Sequence, residues 1–445
     1  MSADAQPSCE HVHHTHVCTE CDFVSRVPQL QRGERARCPR CGHTLAKHMH
    51  RRFSAPFAYS VAAVMLGLVS LYFPFISFES SGISKAMSLP DALLIPYQYG
   101  YGFLSYCYLI GVLILPFAFL GIVIYLHLGA ISHTPAPGGR FLTKALRYMQ
   151  PWVMSDIFVV GVLVSLVKIM SLATIGFELA FIPFCLFALL LICAMQSIDY
   201  GALFERHCGP FQPLPLRAGE PGLMQGVTGC RSCGQPGKVD ERGRGTCQRC
   251  GDPLRARTPY SIQITLALVI TSALLYIPSM ALPVMNITSV GSSEGQTIIS
   301  GVLLLLSSGD FPVALVIFFA SIMVPVAKVI ALLWLCRKTK QPYPSRMRAR
   351  MKLYHIVEFI GRWSMIDVFV VTVLTTMVQL GQIMQIVPGK GIIAFALVVL
   401  ITMVAEMQFD PRLLWDALEH KADDAVPDKD EARVSQSALG QDFSQ

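Results

Sequence analysis

The sequence predicts an all-α polytopic membrane protein made of two tandem repeats. Each repeat is a small β-rich four-cysteine ribbon followed by a four-helix transmembrane module, eight spans in total. Three observations predict it. The 445 residues are 53% hydrophobic and only 15% charged, where soluble domains carry about a quarter charged residues. Apolar runs of membrane length recur along the chain. A ten-residue stretch, Gln150-Pro151-Trp152-Val153-Met154-Ser155-Asp156-Ile157-Phe158-Val159, returns as Gly361-Arg362-Trp363-Ser364-Met365-Ile366-Asp367-Val368-Phe369-Val370. Trp, Met and Asp keep their spacing in both copies, and the two acids stand 367 − 156 = 211 residues apart.

In order, residues 1–52 form a polar head holding the first four-cysteine set. Its Cys, His and Arg content does not read as a secretory signal. Residues 53–208 form the first membrane module, with spans near 55–78, 103–128, 152–173 and 179–198. A Pro/Gly-rich linker and the second cysteine set occupy 209–258. The second module, 259–418, has spans near 261–283, 311–335, 363–380 and 391–407, and 419–445 reads as a disordered charged tail. Pro116 and Pro325, inside the second span of each module, lie 325 − 116 = 209 residues apart, as do Cys41 and Cys250. Landmarks at a nearly constant offset indicate duplication.

Loop charge sets an expected orientation. The net charge of +7 comes from basic residues placed between hydrophobic spans, which argues against nucleic acid as a partner. The 337–352 connection carries Arg337, Lys338, Lys340, Arg346, Arg348, Arg350 and Lys352, and the 129–150 connection is also basic. The loops near 79–101, 173–178, 284–310 and 381–390 hold only Lys85 and Lys390. The positive-inside rule then places both termini and both cysteine sets in the cytoplasm.

Eight of the fourteen cysteines form four Cys-x-x-Cys pairs: Cys18/Cys21 with Cys38/Cys41, and Cys230/Cys233 with Cys247/Cys250. Two such knuckles close a tetrahedral site of four thiolates, the pattern of a structural zinc ribbon. Iron–sulfur or redox use is the alternative. His11, His13, His14 and His16 read as a flexible polar head or as a second metal site; the second ribbon has no such residues.

Ionisable residues inside spans are costly without a partner or a task. Asp156 and Asp367 either cap their helices at headgroup level or serve a transport path. Lys328 lies among apolar residues beside Pro325, and either snorkels toward Arg337 or pairs with Asp367 in a protonatable relay. Its repeat counterpart is Phe119, so the halves differ in chemistry. Ser321, Ser364 and Thr402 are candidate polar neighbours, although membrane hydroxyls commonly bond their own helix. Lys168, in the first half, reads as reaching the opposite surface. No phosphate-binding loop, nucleophile elbow or zinc-protease motif occurs.

The ordered set of two ribbons, the Trp152 and Trp363 motifs, Ser-Gly-Val-Leu before span six and Val-Pro-x-x-Lys-Val within it resembles the paraquat-inducible protein A family of bacterial inner-membrane proteins. The similarity covers residues 15–418. It implies a non-enzymatic role beside mammalian-cell-entry (MCE) domain proteins, whose periplasmic tunnels carry lipids between the two membranes. Asp156, Lys328, Ser321, Ser364, Asp367 and Thr402 are then candidates for a proton-linked path, and Trp152, Trp363, Pro116 and Pro325 for structural roles. The rival readings are a proton-coupled exporter of small molecules and a membrane-anchored zinc-ribbon scaffold. A haem oxidoreductase would need paired His within spans, and His127 and His355 sit near span ends.

Overall fold

The computed structural model describes residues 14–416 apart from 50, 81–82, 135, 170–173, 290–291, 308, 310, 340–346 and 378–383. Expectations for His11, His13 and the 419–445 tail lie outside the described residues, as does the Lys168 side chain.

The first ribbon is two hairpins, β1 (His14–Val17) with β2 (Val24–Val27) and β3 (Arg35–Arg37) with β4 (Thr44–Lys47). Then follow α1 (Ser54–Tyr72), β5 (Ile76–Ser80), β6 (Ile83–Met87), α2 (Asp91–Gln98) and α3 (Gly102–Tyr108). A π-helical segment (Leu109–Ile114) leads from α3 into α4 (Leu115–Ile131). The first half ends with α5 (Gly139–Met149), α6 (Ser155–Ile169), β7 (Thr174–Phe177), α7 (Phe181–Ser197) and α8 (Tyr200–Cys208).

The second ribbon repeats the two hairpins, β8 (Val227–Gly229) with β9 (Pro236–Lys238) and β10 (Arg244–Thr246) with β11 (Pro253–Arg255). Next come α9 (Ser261–Ala281), β12 (Met285–Ser289), β13 (Ser292–Gln296), α10 (Ile298–Ser307) and α11 (Phe311–Phe318). A second π segment (Phe319–Met323) precedes α12 (Val324–Lys338). The half closes with α13 (Met347–Trp363), α14 (Ile366–Met377), β14 (Met384–Pro388) and α15 (Lys390–Gln408).

From α1 to α7 and from α9 to α15 the halves match element for element, α8 having no counterpart among the elements described. Pro116 and Pro325 each occupy the first turn of the helix that follows a π segment. A proline cannot donate to the preceding turn, and a π-bulge is one way a helix absorbs the lost bond. Read from sequence, the loops after the first and third helix of each half are plain connections. They instead pair across the module. The sheet orders are β6-β5-β7 and β13-β12-β14, antiparallel throughout. The alternation in Ile76-Ser77-Phe78-Glu79-Ser80 was the available signal. Each sheet brings together the end of the first long helix and the connection between α6 and α7, or between α14 and α15.

Helix packing follows small residues. α1 buries Pro56, Ser60, Ala63, Gly67 and Ser70, and α9 buries Ser261, Thr265, Val269, Ser272 and Ser279. These stripes let α7 and α15 approach closely, as at membrane helix interfaces. Elsewhere large apolar side chains face outward: Met65 is 63% exposed and Leu274 63%. That surface is compatible with lipid, and far too large for a soluble monomer.

The centre is the contact between the two repeated motifs. α6 lies on α14, with Phe158 edge-on to Phe369 at 5.8 Å and Ser165 donating to the Val370 carbonyl at 3.3 Å. Every residue of α14 from Val368 to Met377 is buried. Among the described residues, six helices are long and apolar enough to span a membrane, or seven if α7 and α8, bent by 66°, form one span. The eight expected spans each coincide with a helix, but not all eight meet that length: α14 has 12 described residues.

Candidate functional site

In the ribbons, the backbone after each second cysteine turns into the left-handed region, at Asp22 (φ 60°), Gly42 (φ 83°), Gly234 (φ 73°) and Gly251 (φ 76°). In each knuckle that residue's N–H donates back to the first cysteine's carbonyl, as from Gly42 to Cys38 at 2.9 Å and from Gly251 to Cys247 at 2.9 Å. The turn aims both thiols of a knuckle inward. Cys18 and Cys41 Sγ then stand 3.6 Å apart and Cys21 and Cys38 3.5 Å. In the second set Cys230–Cys250 and Cys233–Cys247 are both 3.5 Å. A tetrahedral ion with sulfur ligands at about 2.3 Å sets its sulfurs about 3.8 Å apart. Both clusters therefore fit a closed four-thiolate metal site. Among the described residues they are the two groups able to hold a metal ion.

His14 and His16 lie in β1 rather than in a metal cluster. His16 stacks on Phe211 at 4.5 Å, and burial pushes its imidazole down to about 4.

Inside the second module a polar triad joins α12 and α15. Lys328 Nζ lies 3.0 Å from Glu406 Oε1 and donates to Thr402 Oγ1 at 3.0 Å. The Lys328 and Glu406 side chains are 2% and 4% exposed. Thr402 passes its own hydrogen to the Val399 carbonyl at 2.9 Å. Sequence reasoning named Lys328 and Thr402, with Asp367 as the acid, and missed Glu406, whose carboxylate stands 3.0 Å from the lysine. The available signal was spacing, because Thr402 and Glu406 are four residues apart and share a helix face.

Gly361 makes room for this carboxylate. A β-carbon there would collide with the Glu406 carboxylate. At the 211-residue offset its counterpart is Gln150, whose Oε1 accepts from Tyr200 at 2.6 Å. Phe119, fully buried, stands where the second half has Lys328, and Met195 where it has Glu406. The first half thus fills with apolar groups the position that the second half fills with an ion pair.

The remaining candidates fall around this seam. Ser321 is buried in the second π segment, and Ser364 is buried at the start of the motif. Asp156 and Asp367 are half-buried in the first turns of α6 and α14. An acid there is favoured by the partial positive charge of the helix start. Trp152 is half-buried, and Trp363, 39% exposed, packs on Phe359 at 6.1 Å. Pro116 and Pro325 are buried. His127 is also buried, its Nδ1 donating to the Val123 carbonyl at 2.8 Å, a helix-internal bond.

The end of each module is tied to its start by an acid. Asp199 caps α8 at Ala202 N (3.1 Å) and meets Arg52 at 3.8 Å. Asp410 accepts from Thr258 N at 2.9 Å and pairs with Arg412 at 2.9 Å and Arg231 at 2.7 Å. Burial opposes its charge, but the two guanidiniums hold its carboxyl well below the usual carboxylate range.

A multi-pass helical membrane protein with two four-cysteine clusters and an ion pair buried between two of its apolar helices is the class these features define. The model of the paraquat-inducible protein A family matches residues 53–207 and again 262–419. The chain belongs to that family. It is 41% identical over 413 residues to "Intermembrane transport protein PqiA" of Escherichia coli (strain K12), covering 92% of this chain and 97% of that one. A "Probable intermembrane transport protein" of Haemophilus influenzae is 31% identical over 404 residues, covering 89% and 95%. "Lipophilic envelope-spanning tunnel protein A" of Escherichia coli (strain K12) is 29% identical over 404 residues, covering 90% and 91%. No solved structure matches.

Proposed function

We propose that this chain is the inner-membrane component of an MCE-type intermembrane transport system, passing phospholipid-like molecules between the inner membrane and a periplasmic tunnel. The observation that carries this reading is the Lys328–Thr402–Glu406 triad, sealed between α12 and α15 in one half only. A buried ion pair is a poor source of stability compared with apolar packing, so its presence in a membrane interior favours a task. The first half, with Phe119 in place of the lysine, acts as the static scaffold. In the second half, proton uptake by Glu406 releases Lys328 and lets α12 move against α15. The names of its relatives support intermembrane transport, the family resemblance supplies the phospholipid-like substrate, and no nucleotide-binding motif occurs in the sequence.

The ribbons and both termini face the cytoplasm in this reading, because they share an end with the basic helices α5 and α13. The three-stranded sheets then face the periplasmic tunnel. Eight crossings, with the domain limits 53–208 and 259–418, follow from this orientation. The four-thiolate clusters hold zinc, which supplies ribbon stability rather than chemistry, since four sulfurs leave no open coordination position.

The test is complementation of a deletion strain under outer-membrane stress, with Glu406→Gln and Lys328→Met, beside affinity capture from detergent-solubilised membranes. The reading expects both variants to fail while reaching wild-type levels in the membrane, and the wild type to retain an MCE-domain protein. Full complementation by both would sink the proton-linked mechanism. Efflux of a small toxic molecule in a strain lacking every tunnel protein would favour the exporter reading instead.

A further inference from the structure

Each ribbon seats its cysteine cluster on the module that precedes it in the cyclic order of the repeat, so the first ribbon lies on the second half. The buried sulfurs of Cys18, Cys21 and Cys38 share one apolar core with Leu335, Met347, Met351, Phe409, Leu414 and Trp415. All six of those partners belong to the second half. The second cluster shares its core with Phe204, at the end of the first half. Trp415 and Phe204 are repeat counterparts, 211 residues apart.

The arginines of the two second knuckles repeat the arrangement. Arg40, in Cys38-Pro39-Arg40-Cys41, stacks over Trp415 at 4.4 Å. Arg249, in Cys247-Gln248-Arg249-Cys250, donates to the carbonyls of Gly209 at 2.9 Å and Gly201 at 3.5 Å. Basic helices answer from the membrane side. Arg348 of α13 donates to the Pro39 carbonyl at 3.1 Å. Lys144 of α5 pairs with Asp252 at 2.7 Å, and Arg147 donates to the Ser232 carbonyl at 2.9 Å.

We infer that the first ribbon is a metal-dependent clamp on the ribbon-side ends of α12, α13 and α15, the helices that hold Lys328, Gly361 and Glu406, while the second ribbon clamps α5 and α8 of the first half. A ribbon of this size has too small a core to hold its shape without the ion, so metal binding is its folding energy. What the ion orders is the surface on which the other half's helix ends rest. The first ribbon thereby becomes a positioning element for the ion pair, acting through helix ends rather than on Lys328 itself, whose contacts are Thr402 and Glu406. The clamp follows from these contacts alone and stands or falls separately from the transport reading.

Hydrogen–deuterium exchange on the full-length protein in detergent tests it, with bound zinc measured on the same samples. Cys18→Ser/Cys21→Ser is expected to lose one of two zinc equivalents and to speed exchange at least tenfold in 347–358, leaving 139–149 and 200–208 unchanged. Cys230→Ser/Cys233→Ser is expected to lose the other equivalent and to speed exchange in 139–149 and 200–208; because Arg231 of that knuckle also pairs with Asp410 at 2.7 Å, 347–358 is read only in the first-ribbon and Trp415 variants. Trp415→Ala keeps both ions but removes the seat, and is expected to reproduce the first pattern. Unchanged protection of 347–358 in both Cys18→Ser/Cys21→Ser and Trp415→Ala would overturn the clamp. So would a first-ribbon variant whose exposed peptides lie in the first half. Should a cysteine variant unfold throughout, Trp415→Ala decides alone.

Discussion

Replacing Glu406 with Gln strands the Lys328 ammonium against Thr402 in a site where its side chain is 2% exposed. Removing one member of a buried ion pair costs about 3–5 kcal/mol, because the survivor keeps its desolvation penalty and loses its counter-charge. Replacing both members with apolar groups of similar volume is near neutral or stabilising. The first half shows that the site accepts this, since Phe119 is fully buried at the lysine's equivalent position. The double variant Lys328→Met/Glu406→Met leaves Thr402 satisfied through Val399. Exchange of α15 amides, read as a local opening free energy, separates the cases. At about 1.4 kcal/mol per decade, Glu406→Gln should speed exchange by about two to three and a half orders of magnitude, and the double variant should return it to the wild-type range. Complementation should stay lost in both. A single variant costing less than about 1 kcal/mol, or a double no better than the single, would falsify the buried-pair assignment.

Four shorter predictions follow from neighbouring contacts. Gly361→Leu places carbon in the space of the Glu406 carboxylate and should reproduce the Glu406→Gln exchange pattern. Gly161 faces Phe369, where an added β-carbon would stand 3.2 Å from Phe369 Cβ. Gly161→Leu should therefore cost about 1–3 kcal/mol through overpacking, read as a lower melting temperature in detergent. Asp410 has a depressed folded-state pKa, so its stabilisation is complete above the ordinary carboxylate value of about 3.9 and is lost as pH falls through the folded value. The wild type should lose stability into that acid window more steeply than Asp410→Asn in acid titrations followed by fluorescence. Purified protein should carry two zinc equivalents, falling to one when either four-cysteine set is disrupted.

The sequence by itself determined what short-range pattern encodes. Cys-x-x-Cys spacing fixes two closed thiolate clusters, because a knuckle is built by four adjacent residues and one left-handed turn. Apolar length marks the helices, and the repeated Trp-x-Met-x-Asp stretch marks the duplication. Lys328, Thr402, Ser364 and Asp367 stood out because a polar group in an apolar run is conspicuous without any fold. Family membership was legible for the same reason, since the motifs keep their order along the chain. The tertiary structure decided which of these groups meet. Lys328 and Thr402 are 74 residues apart, and period and propensity do not say which face of α12 turns toward α15. Glu406 was hidden by its place near the end of a span, where an acid is unremarkable until Gly361 is seen to make room for it. The sheets β6-β5-β7 and β13-β12-β14 join strands about a hundred residues apart, a pairing no local signal specifies. The seating of each ribbon on the other repeat's helix ends also depends on surfaces that exist only once both halves are folded.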